Sequence, residues 1–128
     1  MEWCFEAGKP AAAATVRKAM IAHLAQHVPA DADLGDAEVI IGELLSNAVL
    51  HGGGRVIATI RARNSDAFVT VCDEGPHFKM SPPRGLQKRN LALEEHGRGM
   101  HIISALCRDA RVHRLGERKA VTVQLQMR

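Results

Sequence analysis

Hydrophobic residues recur with a helical period in the first part of the chain. The segment from Thr15 to about Val28, TVRKAMIAHLAQHV, has apolar residues three and four positions apart, which predicts a helix that Pro29 closes. A second helix carries apolar residues from Val39 to Val49 and ends near Leu50. Ahead of both helices, the stretch WCFEA can form a short edge strand.

After the stretch HGGG, the hydrophobic period changes to two. RVIATIRARN and AFVTVCDEG predict strands joined by a tight turn at NSD. A polar stretch from Pro76 to about His96 predicts a long loop, and loops of this length are usually functional or mobile. GRGMHIISALCRD predicts a third helix, and ARVHRLG and KAVTVQLQM predict a closing hairpin.

The order of these elements predicts the fold class. The strands follow one another as hairpins and do not alternate regularly with helices. We therefore expect an α+β fold, a two-layer α/β sandwich whose helices pack on one face of a mixed, mostly antiparallel sheet. At 128 residues, the chain has the size of one domain with one core, so residues 1–128 are treated as a single unit.

Composition narrows the class of protein without naming a function. Apolar residues make up 46% and charged residues 24%, which is ordinary for a globular domain. No apolar run reaches transmembrane length and the N-terminus lacks a secretory pattern, so we expect a cytoplasmic protein without a membrane anchor. The three cysteines, Cys4, Cys72 and Cys107, fit reduced thiols better than disulfides or a zinc site.

Charge is divided unevenly along the chain. Residues 1–50 hold seven acids and three bases, whereas residues 51–128 hold seven acids and fourteen bases. A basic half can serve nucleic acid, phosphate groups or an acidic protein surface. Because no basic stripe with interleaved aromatic residues and no recognition-helix pattern is present, we expect no direct contact with nucleic acid.

The second predicted helix contains two polar residues, Glu43 and Asn47, and helix propensity does not explain why asparagine occurs there. Asp33 and Asp36 are placed to cap and charge its start, and Glu43 and Asn47 lie four residues apart on one face. The pair can simply belong to the solvated side of an amphipathic helix. Apolar neighbours on the same face also suit a ligand pocket, where a carboxylate takes a proton and an amide oxygen ligates a hard cation.

Two further motifs accompany this pair. In HGRGMHII, glycines before a helix let backbone N–H groups approach an anion, and Arg98 adds a planar donor fork, although such glycines are also an ordinary loop device. The segment matches neither a Walker A loop nor a Rossmann fingerprint. In VCDEGPHF, a strand delivers Asp73, whose carboxylate can accept a hydrogen bond from a base amino group or can serve turn chemistry alone.

The ordered set of Glu-x-x-x-Asn, Asp-x-Gly and Gly-x-Gly before a helix resembles a known ATP-binding fold. It is the fold of gyrase, heat-shock chaperones, histidine kinases and MutL, called the GHKL or Bergerat fold. ELLSNAVLHG is similar to its N box, DEGPHF to its first glycine box and GRGMHII to its second, with the long loop as the ATP lid. The resemblance spans nearly the whole chain and is nearest to the bacterial anti-sigma factor serine-protein kinases.

The resemblance implies a role for each matching residue. Asn47 would hold Mg²⁺ against the triphosphate of ATP, and Glu43 would be the general base toward a serine hydroxyl or water. Asp73 would bind the adenine amino group, Gly75 would give the base room, and His51 would lie near the phosphates. The residues expected to wrap the phosphates are Gly97, Arg98, Gly99 and Met100, the last of which can equally be a core residue.

Two positions depart from the family pattern. Many members have a threonine near the start of the final strand, close to the adenine, where our alignment places Ala120 with Thr122 two residues on. His77 stands where broader relatives have glycine. Both departures bear on nucleotide affinity and base preference.

The resemblance implies a regulator that binds ATP and Mg²⁺. It would bind a sigma factor, phosphorylate an anti-sigma antagonist on serine and form a homodimer. The alternative is an ATP-gated protein-binding module without significant phosphoryl transfer. A histidine kinase catalytic domain fits less well, because the chain has no coiled-coil dimerisation helix.

Overall fold

Five strands and two complete helices make up the part of the chain that the computed structural model describes, which is residues 1–29, 32–63, 66–75, 102–103 and 105–126. In chain order, the elements are β1 (Glu2–Glu6), α1 (Pro10–Ala25), α2 (Gly35–His51), β2 (Arg55–Arg63), β3 (Asp66–Asp73), β4 (Asp109–Leu115) and β5 (Arg118–Gln126). Residues 102–103 and 105–106 are also helical, within the third predicted helix. The predicted long loop and the glycine-rich start of that helix lie outside the described residues.

The strands form one sheet in the order β1-β2-β3-β5-β4, and its four pairings are all antiparallel. β2 and β3 form one hairpin, β4 and β5 form the second, and β3 pairs with β5 at the centre. β1 lies at one edge, as the WCFEA stretch predicted. The α+β prediction is confirmed, and the described part of the sheet is antiparallel throughout.

Helix α1 begins earlier than the hydrophobic spacing predicted. It runs from Pro10 to Ala25, whereas the spacing predicted Thr15 to about Val28. The difference has a local cause, because proline fits the first helical turn and the following Ala11–Ala14 are strong helix formers. The spacing located the core face correctly, and the buried residues of α1 are Ala13, Val16, Met20 and Leu24.

Helix α2 begins at Gly35 and ends at His51, close to its predicted bounds. The Asp33 carboxylate accepts a hydrogen bond from the backbone N–H of Gly35 at 2.8 Å, and Asp36 lies in the first turn, where a negative charge favours the helix dipole. None of the helices in the described part of the chain is long and apolar enough to cross a membrane. The buried residues of α2 are Ala37, Ile40, Ile41, Leu44, Leu45, Asn47 and Ala48.

The core lies between these helices and one face of the sheet. Successive strand residues point to opposite faces, so the buried positions two residues apart in β2, β3 and β5 form one inner surface. This inner surface includes Val56, Ala58, Ile60, Val69, Val71, Val121 and Val123. By the same alternation, Asp73 of β3 and Lys119 of β5 continue the inner surface at one end of the sheet.

An aromatic cluster joins the edge strand to α1. The Trp3 ring meets the His23 ring edge-on with centroids 5.8 Å apart, and the His23 and His27 ring centroids are 4.8 Å apart. Burial lowers the pKa of His23 below its ordinary value of 6.5, and the positive charges of His27 and the N-terminal amine lower this pKa further. On β4, burial likewise lowers the pKa of His113.

Because the pKa values of His23 and His113 are lowered, we expect the protein to lose stability in mild acid. Because both pKa values are lower in the folded chain than in the unfolded chain, the unfolded chain binds more protons as the pH falls through 6.5. The free energy of unfolding should therefore decrease as the pH falls below 6.5 and level off below the folded pKa values. Urea denaturation between pH 7.5 and 5 measures this, and the double variant His23→Gln/His113→Gln should show a flatter profile. Equal slopes for the two proteins would assign the acid effect to other groups.

Candidate functional site

Asn47 is a buried polar residue in the last part of α2. Its side chain is 8% exposed, and its neighbours Leu44 and Ala48 belong to the core. The amide nitrogen Nδ2 is fully buried and has no hydrogen-bond partner among the described residues. An unsatisfied buried polar group costs about 1–3 kcal/mol, so its presence needs an explanation beyond folding.

A bound cation or nucleotide would supply that explanation. A carboxamide rotated about its last bond presents either its oxygen or its nitrogen at the same place, and amide oxygens are ligands for hard cations. The sequence resemblance assigned this residue to Mg²⁺, and the orphaned amide fits that role. Asn47 is therefore the described residue that best fits contact with a metal-bound triphosphate.

Glu43 lies one turn before Asn47 on the same helix. Its side chain is half-buried and lines a groove of about 990 Å³ between α1 and α2, beside Ser46 and Leu50. Among the described residues, Asn47 and Asp73 do not line this groove. Glu43 and Asn47 therefore share a helix as predicted, but this groove does not join Glu43 to Asp73.

The glycines that follow α2 bring its C-terminal end against the end of β3. The backbone N–H of Glu74 donates to the carbonyl of Gly53 at 2.9 Å, and the Glu74 carboxylate accepts from the N–H of Arg55 at 2.8 Å. A Cβ on Gly52 would lie 2.6 Å from Cγ of Asp73, so a larger residue does not fit at that position. The run of glycines is thus explained by close packing of two backbones that belong to the two predicted motifs.

Gly75 has a packing role that is separate from its predicted role of leaving room for a base. A Cβ on Gly75 would lie 2.6 Å from the backbone carbon of Gly52 and from the nitrogen of Gly53. The backbone N–H of Gly75 also donates to Oδ1 of Asp73 at 2.7 Å, which orients the carboxylate. The Asp-x-Gly motif is therefore a turn that holds Asp73 in place next to the end of α2.

Lys119 is a buried residue beside Asp73 that the sequence reasoning missed. Asp73 and Lys119 are paired across β3 and β5, and their exposures are only 3% and 5%. The Lys119 ammonium lies 3.6 Å from Oδ2 of Asp73. Lysine is almost never fully buried without a partner, so its burial here is unusual. The alternating pattern of residues 118–126 predicted a strand but did not show which of its residues would lie opposite Asp73.

The strand register shows which residue lies next to Asp73, the residue predicted to bind adenine. Ala120 pairs with Cys72 and Thr122 pairs with Thr70, so these residues belong to the opposite face of the sheet. On that face, the Thr122 hydroxyl lies 2.8 Å from both the Thr70 hydroxyl and Nε2 of His113. Lys119, and not Ala120 or Thr122, therefore occupies the cross-strand position beside Asp73.

The remaining predicted site residues divide into two groups. His51 is the last residue of α2 and is exposed. Gly97, Arg98, Gly99 and Met100, together with His77, lie outside the described residues. The contact of residues 97–100 with phosphate remains a prediction from the sequence.

Comparison with known proteins supports the assignment of the chain to an ATP-binding family. The model of the histidine kinase-like ATPase domain family matches residues 7–126. Among solved structures, the Acinetobacter baumannii histidine kinase AdeS has the same fold, with a TM-score of 0.52 and 18% sequence identity over 99% of this chain and 68% of that chain. No curated protein sequence shows significant similarity to the chain. Because the family match covers nearly all of the sequence, the chain belongs to the histidine kinase-like ATPase domain family, which is the GHKL family of ATP-binding domains.

Proposed function

We propose that this protein is an ATP-dependent serine protein kinase of the anti-sigma factor type. It would act in the cytoplasm, bind a sigma factor and phosphorylate an antagonist protein on serine. The family match supports ATP binding together with a kinase or ATPase activity. The observation that carries the proposal is the orphaned amide of Asn47, one turn after Glu43 on α2 and close to the helix end that packs against Asp73.

Each described residue has one task in this reaction. Glu43 takes the proton of the serine hydroxyl, a role that suits a half-buried carboxylate at the rim of a groove. Asn47 would bind the cation through its amide oxygen, and Asp73 would accept a hydrogen bond from the adenine amino group. When bound, Mg²⁺-ATP supplies the phosphoryl group and the positive charge that stabilises its transfer. Positioning and charge account for most of the rate enhancement in this class of reaction.

A second candidate function is an ATP-gated binding module without significant phosphoryl transfer. The position of Glu43 favours it, because this carboxylate lines the groove between α1 and α2, and the described lining of that groove does not include Asp73. In such a module, ATP would stabilise a surface for a partner protein, and Glu43 would contribute to that surface. A homodimer is compatible with either function.

Thermal unfolding with nucleotides tests both candidates. A ligand of the folded state stabilises it by about 2.7 kcal/mol when its concentration is a hundred times Kd, so Mg²⁺-ATP should raise the melting temperature by several degrees. Mg²⁺-GTP at the same concentration should have a smaller effect, and ATP with excess EDTA should have less effect than Mg²⁺-ATP. No shift with Mg²⁺-ATP at millimolar concentration would contradict both functions.

A further inference from the structure

We propose that His23 and His27 form a binding site for a divalent transition metal ion such as Zn²⁺, Ni²⁺ or Cu²⁺. The two imidazoles would be the protein ligands, and water would fill the remaining coordination positions. Neither histidine lines the groove between α1 and α2, and neither belongs to the residues expected to bind ATP. The inference therefore does not depend on the proposed function.

The backbone places the two imidazoles on one side of the end of α1. His23 lies in the last turn of the helix, and the cap residue Gln26 keeps a helical backbone with φ −74° and ψ −14°. The N–H of His27 donates to the carbonyl of Leu24 at 2.9 Å, so the chain continues in a helical turn as far as His27. Side chains four positions apart in such a turn are neighbours on its surface.

The separation of the two rings fits coordination of one metal ion. The ring centroids of His23 and His27 are 4.8 Å apart, and the ring planes are inclined at 64°. A metal about 2.0–2.1 Å from a ring nitrogen lies about 3.2 Å from the ring centroid, so two imidazoles at coordination angles of about 90–110° have centroids about 4.5–5.2 Å apart. The observed distance falls within this interval, so the backbone already holds the rings at the spacing that one ion requires.

The surroundings of His23 prepare its ring for a metal. Burial lowers the pKa of His23 below 6.5, and the charge of His27 lowers it further, so this imidazole is neutral at pH 7, which is the form that ligates a metal. The Trp3 ring meets the His23 ring edge-on with centroids 5.8 Å apart, which limits the rotation of His23. His27 is exposed, so an ion and its water ligands can reach the pair from solvent.

The donor set selects the class of metal. Among the described residues, no group of three or more histidine, cysteine or acidic side chains is placed to hold a metal, so the protein supplies two ligands and leaves the other positions open. Imidazole nitrogen suits Zn²⁺, Ni²⁺ and Cu²⁺, whereas Mg²⁺ prefers oxygen ligands. The pair should therefore discriminate against Mg²⁺, the cation expected at Asn47.

The single tryptophan of the chain reports directly on this site. Because Trp3 contacts His23, a paramagnetic Ni²⁺ ion bound at the pair should quench the tryptophan fluorescence. In the unmodified protein at neutral pH and without nucleotide, we expect saturable quenching by Ni²⁺. Zn²⁺ should relieve it by competition, because it takes the same ligands, and EDTA should reverse it. Millimolar Mg²⁺ should leave it unchanged.

Variants then assign the quenching to the two imidazoles. Loss of a mere outer-shell partner costs about 10–100-fold in metal affinity, so His23→Gln and His27→Gln should each raise the Ni²⁺ concentration for half-maximal quenching at least about tenfold. The matched control Ala25→His/His27→Gln keeps the number of histidines but places the second imidazole two residues from His23, where side chains do not face each other. It should bind as weakly as His27→Gln. Cys4→Ser, which removes an exposed thiol next to Trp3 in the sequence, should bind like the unmodified protein.

The outcomes decide the inference without reference to ATP. Absence of quenching at millimolar Ni²⁺, an unchanged half-maximal concentration in His27→Gln, or loss of quenching in Cys4→Ser would each overturn the metal site. If His23→Gln does not fold because its ring packs against Trp3, the exposed position 27 and the relocated pair give the answer. Since nucleotide is absent from every measurement, the metal site and the proposed function succeed or fail separately.

Discussion

Replacing Glu43 with glutamine should abolish phosphoryl transfer and leave ATP binding intact. Glutamine has nearly the same shape as glutamate but does not accept a proton at neutral pH, so the general base is removed with little change in packing. Loss of a positioned general base typically lowers a rate by about 10²–10⁴-fold. Transfer of labelled γ-phosphate from ATP to a protein serine or to water measures the rate, and the Mg²⁺-ATP thermal shift measures binding.

Glu38→Gln is the matched control for this experiment. Glu38 lies on the same helix, is exposed and lines the same groove, but the proposal gives it no part in the reaction. It should transfer phosphate at the rate of the unmodified protein. If Glu43→Gln also keeps that rate, Glu43 is not the base. If partner regulation persists without measurable transfer in any of these proteins, the ATP-gated module becomes the better description.

Replacing Asn47 with leucine should have opposite effects on ligand binding and on stability. The Asn47 amide is buried with Nδ2 unpaired among the described residues, so an apolar side chain of similar branching removes a desolvation cost of about 1–3 kcal/mol. The ligand-free variant should therefore be at least as stable as the unmodified protein. Its stabilisation by Mg²⁺-ATP should be largely lost, because leucine cannot ligate a cation.

The two measurements together identify the role of Asn47. Urea denaturation without nucleotide gives the stability, and thermal unfolding with Mg²⁺-ATP gives the binding. Ser46→Ala, at the exposed neighbouring position, should match the unmodified protein in both. If Asn47→Leu is strongly destabilised without nucleotide, the amide has a structural partner. An unchanged thermal shift would remove Asn47 from the nucleotide site.

The Asp73–Lys119 pair adds a constraint to any account of this site. A lysine in the cross-strand position beside the aspartate places a full positive charge next to a carboxylate that is expected to bind a base. Changing Asp73 alone would leave Lys119 buried without its carboxylate, so such a variant would lose stability as well as binding. Experiments on Asp73 are therefore interpretable only beside the double variant that removes both charges.

Several features of this protein follow from the sequence alone. The change of hydrophobic period from helical spacing to alternation after HGGG located both helices and the strands to within a few residues, because periodicity reflects which side of each element is buried. The order of elements indicated an α+β sandwich, and three motifs in the right order indicated the ATP-binding family, which the family match confirms. The start of α1 at Pro10 was missed, since the alanines that extend this helix carry no periodic signal.

Only the tertiary structure decided which side chains lie next to one another across the sheet. Strand alternation alone does not set the register between β3 and β5, and a shift of one residue exchanges the two faces of a strand. For that reason the sequence did not show that Lys119, one residue before Ala120, lies in the cross-strand position beside Asp73. The sequence likewise predicted that Glu43 and Asn47 share a face of α2, but packing against the core buried Asn47 and left Glu43 at the rim of a groove. The hydrophobic periodicity of one helix or strand indicates which of its residues are buried. The partners of a buried polar group depend instead on how separate helices and strands pack together.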